Sequence, residues 1–180
     1  MNKSKIRNNI LKLRKKNFNE NFKIDLDKFF SFLKINTDMK NIGGYYSSNF
    51  EIDNLEILYL LEKKKYNISL PKIEKKNQMN FLKWSSNDPL KINKYGIPEP
   101  VYSRVVFPDI LIIPLVAYDN NLNRLGYGGG FYDRYIDKIE KIKKVIKIGL
   151  AFSYQKVKTI PINQHDKKLD FIITEKKILK

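Results

Sequence analysis

The sequence predicts an α/β fold: a single layered domain over residues 1–180 in which a mostly parallel β-sheet is flanked by helices. Three observations carry that prediction. Residues 110–113, Ile-Leu-Ile-Ile, form a continuous apolar run closed by Pro114, the pattern of a strand buried on both faces. A second such run, Lys-Val-Ile-Lys-Ile-Gly-Leu-Ala at 144–151, follows a helical segment at 131–142. From residue 40 onward, strand-like and helix-like segments alternate, the order that builds parallel sheets. The 180 residues fit one domain of roughly 100–200 residues.

The elements follow in order. Residues 3–16 read as a helix, with Ile6, Ile10 and Leu13 at helical spacing, packed on one face of the sheet. Residues 20–34 form a second amphipathic candidate, with Phe22, Leu26, Phe29, Phe30 and Leu33. Residues 40–46 (Lys-Asn-Ile-Gly-Gly-Tyr-Tyr) read as a short strand, and Asp53 is placed to cap a helix over 54–64. Residues 66–70 and 78–84 read as strands punctuated by Pro71. The segment 86–108, with Pro89, Pro98, Pro100 and Pro108, reads as loop. Residues 169–174 supply the last strand, followed by a short C-terminal helix.

Composition narrows the chemistry. With no cysteine, disulfides, zinc–thiolate sites, iron–sulfur clusters and thiol nucleophiles are excluded. The single histidine, His165, makes any Ser–His triad rest on one residue and reads more readily as a loop residue than as a catalyst. No run approaches the ~20 apolar residues of a membrane span, and no apolar core follows the basic N-terminus, so neither membrane association nor secretion is expected and a cytoplasmic location is. The net charge is +16, which is the footprint of a nucleic-acid binder. It is also the product of a compositional bias: there are 30 Lys but 5 Arg, with 19 Asn and 24 Ile, all but Arg residues of A/T-rich codons. Arginine, whose fork reads phosphate and guanine bidentately, is scarce, so a functional nucleic-acid partner is not expected.

The most informative segment is Asn123 to Arg134, Asn-Arg-Leu-Gly-Tyr-Gly-Gly-Gly-Phe-Tyr-Asp-Arg. Four of the eight glycines fall within Gly126–Gly130, between a strand ending near Val116 and a helix starting near Phe131. Successive backbone N–H groups in such a turn form an anion nest, and the following helix N-terminus adds partial positive charge. The chemistry suggested is phosphate binding; the same pattern also serves as a plain strand-to-helix turn. The dinucleotide fingerprint fails at Phe131, and the Gly-Lys-Ser/Thr of a P-loop is absent. Asp133, in the first turn of the helix, also has an ordinary dipole-stabilising role.

The run Arg124–Tyr135, preceded by Pro114-Leu-Val-Ala-Tyr-Asp119, resembles the signature of the 5-formyltetrahydrofolate cyclo-ligase family. Further resemblances follow in order: Lys3 and Arg7; Tyr45-Tyr46 through Glu51-Ile52-Asp53; Pro71-Lys72-Ile73; Met79, Phe81 and Trp84; and Gly96–Pro100. Then come Gly149–Phe152 with Gln155, Ile160-Pro161, His165-Asp166, and Leu169–Glu175, so the resemblance covers residues 3–178.

The resemblance implies a NagB/RpiA/CoA-transferase-like arrangement and an ATP- and Mg²⁺-dependent enzyme that converts 5-formyltetrahydrofolate to 5,10-methenyltetrahydrofolate. The formyl oxygen is phosphorylated, N10 attacks the activated carbon, and phosphate leaves beside ADP. It implies a monomer without an obligate protein partner. Lys3, Ser4, Lys5, Ile6 and Arg7 match its N-terminal ATP segment; without the resemblance, Lys3 and Arg7 read as part of a solvated basic helix. Arg14 falls close to the stripe of Lys3 and Arg7. Arg124, Leu125, Gly126, Tyr127, Gly128, Gly129, Gly130, Phe131 and Tyr132 match the phosphate cradle, with Tyr127–Phe131 also expected against the folate. Arg124, Tyr132 and Asp133 take the catalytic positions, and Asp133 and Asp170 those of the Mg²⁺ carboxylates. Glu51 matches the folate-contacting glutamate, with Asn54 where the family's threonine usually stands. Trp84 is either an aromatic wall of the site or a core residue. Phosphoryl transfer needs positioning and charge stabilisation more than an acid–base dyad, so one histidine is no obstacle.

Overall fold

The computed structural model describes residues 2–18, 24–34, 39–101 and 103–180. Its centre is an eight-stranded sheet in the order β12-β11-β10-β7-β1-β2-β3-β6. The five inner strands, β11 (Phe171–Ile173), β10 (Ile146–Leu150), β7 (Ile110–Pro114), β1 (Asn41–Gly43) and β2 (Asn67–Ile73), run parallel. Antiparallel strands β3 (Met79–Lys83) and β6 (Val105–Val106) extend one edge and β12 (Ile178–Leu179) the other.

The apolar runs behave as strands buried on both faces. In β7, Ile110 and Ile112 enter the core on one face, while Leu111 and Ile113 enter the core on the other. The first face is covered by α2 (Leu26–Lys34) and α3 (Leu55–Lys63), through Phe29, Ile57, Leu58 and Leu61. The second is covered by α4 (Phe131–Glu140), through Tyr135, Ile136 and Ile139. Asp53 supports the start of α3 by accepting from the Leu55 amide (2.9 Å). Burying an apolar side chain of this size contributes roughly 1.5–3 kcal/mol, so these two layers hold the sheet.

Several expectations are corrected. The N-terminal helix α1 (Lys3–Asn17) does not lie on a sheet face; Ile6 and Ile10 pack on Val116, Ala117, Leu125 and Ile160. Ala117 and Leu125 belong to a two-stranded ribbon, β8 (Ala117–Tyr118) with β9 (Arg124–Leu125), which offers its own apolar side. Pro71 does not punctuate β2 but lies inside it, opposite Phe81. The parallel pairing with β1 covers only Asn67–Ser69, so the missing N–H of Pro71 leaves no bond unmade on that side. The segment 86–108 holds the hairpin β4 (Leu90–Ile92) and β5 (Pro98–Pro100) as well as β6, because its prolines sit where no central ladder needs their N–H. Among the described residues no α-helix separates β2 from β7, only a 3₁₀ turn at Lys75–Asn77; the antiparallel excursion fills that interval. The C-terminal helix is replaced by β12, whose Ile178 and Leu179 pair with β11. The second helix begins at Leu26, and Phe22 lies outside the described residues.

Candidate active site

Parallel strands collect their C-terminal ends along one edge of the sheet, where open α/β folds place ligands. Here a cleft of about 1140 Å³ opens at that edge. The glycine loop and the first turn of α4 form one wall, with Lys3 and Arg7 of α1 beside them. Tyr45, Tyr46, Ser48 and Glu51, in the segment after β1, form the opposite wall. Pro71, Ile73 and Met79 supply an apolar floor, and Tyr95 at the tip of the β4–β5 hairpin reaches Phe131 edge-on, with ring centroids 5.9 Å apart.

The loop between β9 and α4 turns through two left-handed residues, Gly128 (φ 104°) and Gly130 (φ 66°). A side chain at Gly128 would be strained and would face the Arg7 guanidinium, whose Nη2 lies 3.4 Å from an ideal Cβ position. Gly130 is the N-cap of α4 and has no side chain with which to cap it. The loop oxygens are pinned by guanidinium groups: Arg7 Nε donates to the Gly126 carbonyl (2.9 Å) and Arg134 Nη2 to that of Gly129 (2.7 Å). Among the described residues, the amides of Gly126 to Gly130 donate to no protein acceptor. With its carbonyls held outward and its amides open at a helix N-terminus, the loop is built for an anion with several oxygens.

At the base of this wall the buried Arg124 donates from Nη2 to Asp133 Oδ1 (2.7 Å), and the same oxygen accepts from the Lys167 amide (3.0 Å). Arg124 Nε and the Tyr132 hydroxyl are buried without a hydrogen-bond partner among the described residues. Burial holds the Tyr132 phenol far above its ordinary pKa, so it stays a neutral donor, beneath the guanidinium of Arg124 at 5.9 Å from its ring centre. An unpaired buried donor costs roughly 1–3 kcal/mol, which a ligand oxygen would recover. Lys3 pairs with Asp166, and Lys167 with Asp137 and Glu140, so the cleft is rimmed by cations already oriented by carboxylates.

On the opposite wall, Glu51 is buried and accepts from the Ser48 amide (2.9 Å). Burial raises its carboxyl pKa, against the Ser48 hydrogen bonds, the Arg14 charge and the nearby Tyr127 hydroxyl. Asn54 fixes this segment: its amide donates to the Tyr45 carbonyl (2.6 Å) and its oxygen accepts from the Tyr45 amide (3.3 Å).

The structure thus brings Lys3, Arg7, Glu51, Arg124, Leu125, Gly126, Tyr127, Gly128, Gly129, Gly130, Phe131, Tyr132 and Asp133 to one cleft. It does not bring in the rest. Ser4 and Lys5 are exposed on α1 outside the cleft, and Ile6 is in the core. Trp84 is a core residue of the α2–α3 face, its amide bonded to the Ile68 carbonyl at the far end of the sheet. Asp170 also lies at that far end, accepting from the Lys147 amide (2.8 Å) with the Lys147 ammonium at 3.5 Å. Asp133 and Asp170 therefore do not form a metal pair, and no group of three metal-ligating side chains occurs among the described residues. His165 is exposed on the rim, bonded to Gln164. Sequence reasoning passed over the hairpin tip, the Asn163–Lys167 loop and the depth of Arg14. For Arg14 a signal existed: it continues the buried stripe of Ile6 and Ile10, where an apolar residue is the norm.

Comparison with known proteins places the chain in a family. Residues 1–175 match the 5-formyltetrahydrofolate cyclo-ligase family. The 5-formyltetrahydrofolate cyclo-ligase of Haemophilus influenzae is 38% identical over 134 residues, covering 71% of each chain. That of Escherichia coli K12 is 32% identical over 144 residues, 76% of this chain and 79% of its own. The solution structure of Aquifex aeolicus 5,10-methenyltetrahydrofolate synthetase superposes with a TM-score of 0.79 at 29% identity, over 100% of this chain and 93% of that one. The Mycoplasma pneumoniae synthetase shares the fold, with a TM-score of 0.74 at 24% identity over 96% and 98% of the two chains. The chain that carries this glycine loop and buried glutamate in one cleft belongs to the 5-formyltetrahydrofolate cyclo-ligase family.

Proposed function

We propose that this cleft converts 5-formyltetrahydrofolate to 5,10-methenyltetrahydrofolate at the expense of ATP, the reaction of the family to which the chain belongs. The observation that carries the reading is the row of unbonded amides at Gly126–Gly130, facing Glu51 across a single cleft. Its volume exceeds the upper end of the roughly 300–1,000 Å³ usual for one small ligand, as two substrates require.

Each group has a task in this chemistry. The loop amides, Arg7 and Lys3 bind and orient the triphosphate. Arg124 and the Tyr132 hydroxyl, both with an unbonded buried donor, meet charge as the phosphoryl group moves to the formyl oxygen. Glu51 faces the folate, and its buried carboxylate accepts an N–H from the pterin or its linker. The apolar floor of Pro71, Ile73 and Met79 excludes water from the activated carbon while N10 closes the ring. The residues also fit Mg²⁺: Asp133 stands beside the loop with its protein bonds on Oδ1, and Mg²⁺ takes one or two carboxylates with substrate phosphates and water. Mg²⁺ there would neutralise phosphate charge and align the transferred group. Asp170, on the far edge, has no part in this assignment.

The relatives described above lend no support to a nucleic-acid-binding module. The test is turnover with Mg-ATP and 5-formyltetrahydrofolate, read by the near-ultraviolet absorbance of the methenyl product and by released phosphate. Product and phosphate in equal amounts, both requiring ATP, are expected; a folded sample that yields neither refutes the reading.

A further inference from the structure

A cation stands near the N-terminus of α4, where the helix dipole favours an anion. It is Arg134, and its acceptors among the described residues are main-chain carbonyls rather than carboxylates. Nη2 donates to the Gly129 carbonyl (2.7 Å) and to the Asn77 carbonyl (2.8 Å), and Asn77 also accepts from Nε (3.2 Å). One planar group thus grips the glycine loop and the turn between β2 and β3. The guanidinium carbon stands 5.5 Å from the Phe131 ring centre, and Nη1 lies 2.6 Å from the place a Cβ would take at Gly130. Glycine at 130 therefore serves twice: it permits the left-handed turn, and it leaves room for Arg134.

The far end of this brace is a strained one. Lys76 (φ 56°) and Asn77 (φ 55°) are consecutive left-handed residues, and neither is glycine. Gln78 and Met79, directly after that turn, line the cleft. At the near end, the brace acts on a peptide that has no side chain on either side to hold it. In a trans peptide the carbonyl and the following amide point in opposite directions, and the chain has no cis bond among the described residues. Holding the Gly129 carbonyl on Arg134 therefore turns the Gly130 amide away from Arg134, to where it finds no protein acceptor. We infer that Arg134 is a positioning residue for the nucleotide, tying the Gly129 carbonyl to the Asn77 carbonyl and so fixing the Gly130 amide for a phosphate oxygen. The inference rests on the proposed reading of the loop as the cradle of the triphosphate.

The test compares steady-state kinetics and nucleotide-free amide NMR spectra of wild type, Arg134→Met and Arg134→Lys. Lysine keeps the charge but lacks the planar fork that spans two carbonyls. Both variants should raise the KM for ATP by about five- to tenfold, the loss of one or two hydrogen bonds. The KM for 5-formyltetrahydrofolate and kcat at saturating ATP should stay within about twofold. Arg134 is exposed, so the melting transition should be retained. Without nucleotide, the Gly130 and Gln78 amides, which follow the two gripped carbonyls, should shift in both variants. An unchanged KM for ATP in Arg134→Met overturns the inference, and so does a wild-type value in Arg134→Lys, where charge alone would then suffice. Raised KM with the nucleotide-free amides unmoved would put the guanidinium on the phosphate itself and overturns it too, as does an equal rise in the KM for folate. If Arg134→Met does not fold, Arg134→Lys decides the matter through the same readouts. Wild type whose turnover does not require ATP would instead refute the reading of the loop as a phosphate cradle.

Discussion

The two ends of the parallel strands treat their polar groups in opposite ways. At the N-terminal ends the carboxylates are saturated, although the buried indole N–H of Trp84 has no partner among the described residues. Asp109, ahead of β7, accepts from the Asn41 amide (2.8 Å), the Asn41 side chain (2.9 Å), the Lys40 amide (3.1 Å) and the Lys143 ammonium. Asp170 is likewise engaged by Lys147. At the C-terminal ends donors stay open: five consecutive loop amides, Arg124 Nε, Arg14 Nε and the Tyr132 hydroxyl have no partner among the described residues. Buried polar groups are normally satisfied, so the cluster of open donors around the cleft, Arg124 Nε and the Tyr132 hydroxyl among them, favours a ligand there. Protein donors hold Asp109 at the first end, whereas burial works against the charge of Glu51 at the second.

Substitutions at the two ends should separate accordingly. Asp133→Asn keeps an oxygen toward the buried Arg124 but removes the charge beside the loop, and should cut kcat by about 10²–10³-fold with the melting transition retained. Near-normal turnover would take Asp133 out of the reaction. Gly128→Val forces a β-branched residue into a left-handed turn against Arg7 and should raise the KM for ATP by roughly tenfold or more. Unchanged ATP kinetics would mean that the loop does not cradle phosphate.

The carboxylates contrast most clearly in their response to pH. Burial pushes the Asp109 carboxyl up, but the hydrogen bonds from Lys143 and Asn41 outweigh it and hold the pKa below its ordinary value. A depressed pKa stabilises the fold above the unfolded value of about 3.9, and that stability is lost as pH falls through the folded value. Asp109→Asn should therefore cost about 1–2 kcal/mol at pH 7, shrinking toward zero in acid, by denaturant titration. Asp170→Asn should cost less than about 1 kcal/mol and leave kcat within about twofold, since among the described residues its carboxylate pairs only with Lys147. A collapse of activity would restore Asp170 to the reaction. Glu51 has the opposite sign. Burial raises its pKa, so the folded chain loses stability as pH rises through the unfolded value of about 4.3 and up to the folded one. Glu51→Gln should gain up to about 1 kcal/mol at pH 7 while weakening folate binding. A loss of stability there would contradict the contrast.

Much of this was legible in the sequence. The run at 110–113 announced a doubly buried strand, and the glycine cluster announced the tight turn between β9 and α4 that lines the cleft, because both signals are local. The family resemblance supplied the reaction that spacing alone does not. What sequence missed depends on three-dimensional position. Asp133 and Asp170 read alike as carboxylates beside apolar segments, yet one heads α4 and the other precedes β11, and nothing local tells which end of the sheet each occupies. Trp84 read as wall or core for the same reason, and β3 carries it to the far end. Pro71 read as a break because its missing N–H matters only if a neighbouring strand extends that far, and β1 does not. Arg14 was visible as part of a basic stripe; its burial follows from α1 docking on the β8–β9 ribbon.

The central claim is that the backbone from Gly126 to Gly130 grips the triphosphate. Titrating the isotopically labelled protein with a non-hydrolysable Mg-ATP analogue and following its backbone amides by NMR tests it most directly. The glycine amides at 126, 128, 129 and 130 should shift together and saturate with the affinity of the nucleotide. Saturable binding that leaves those amides unmoved would contradict the account.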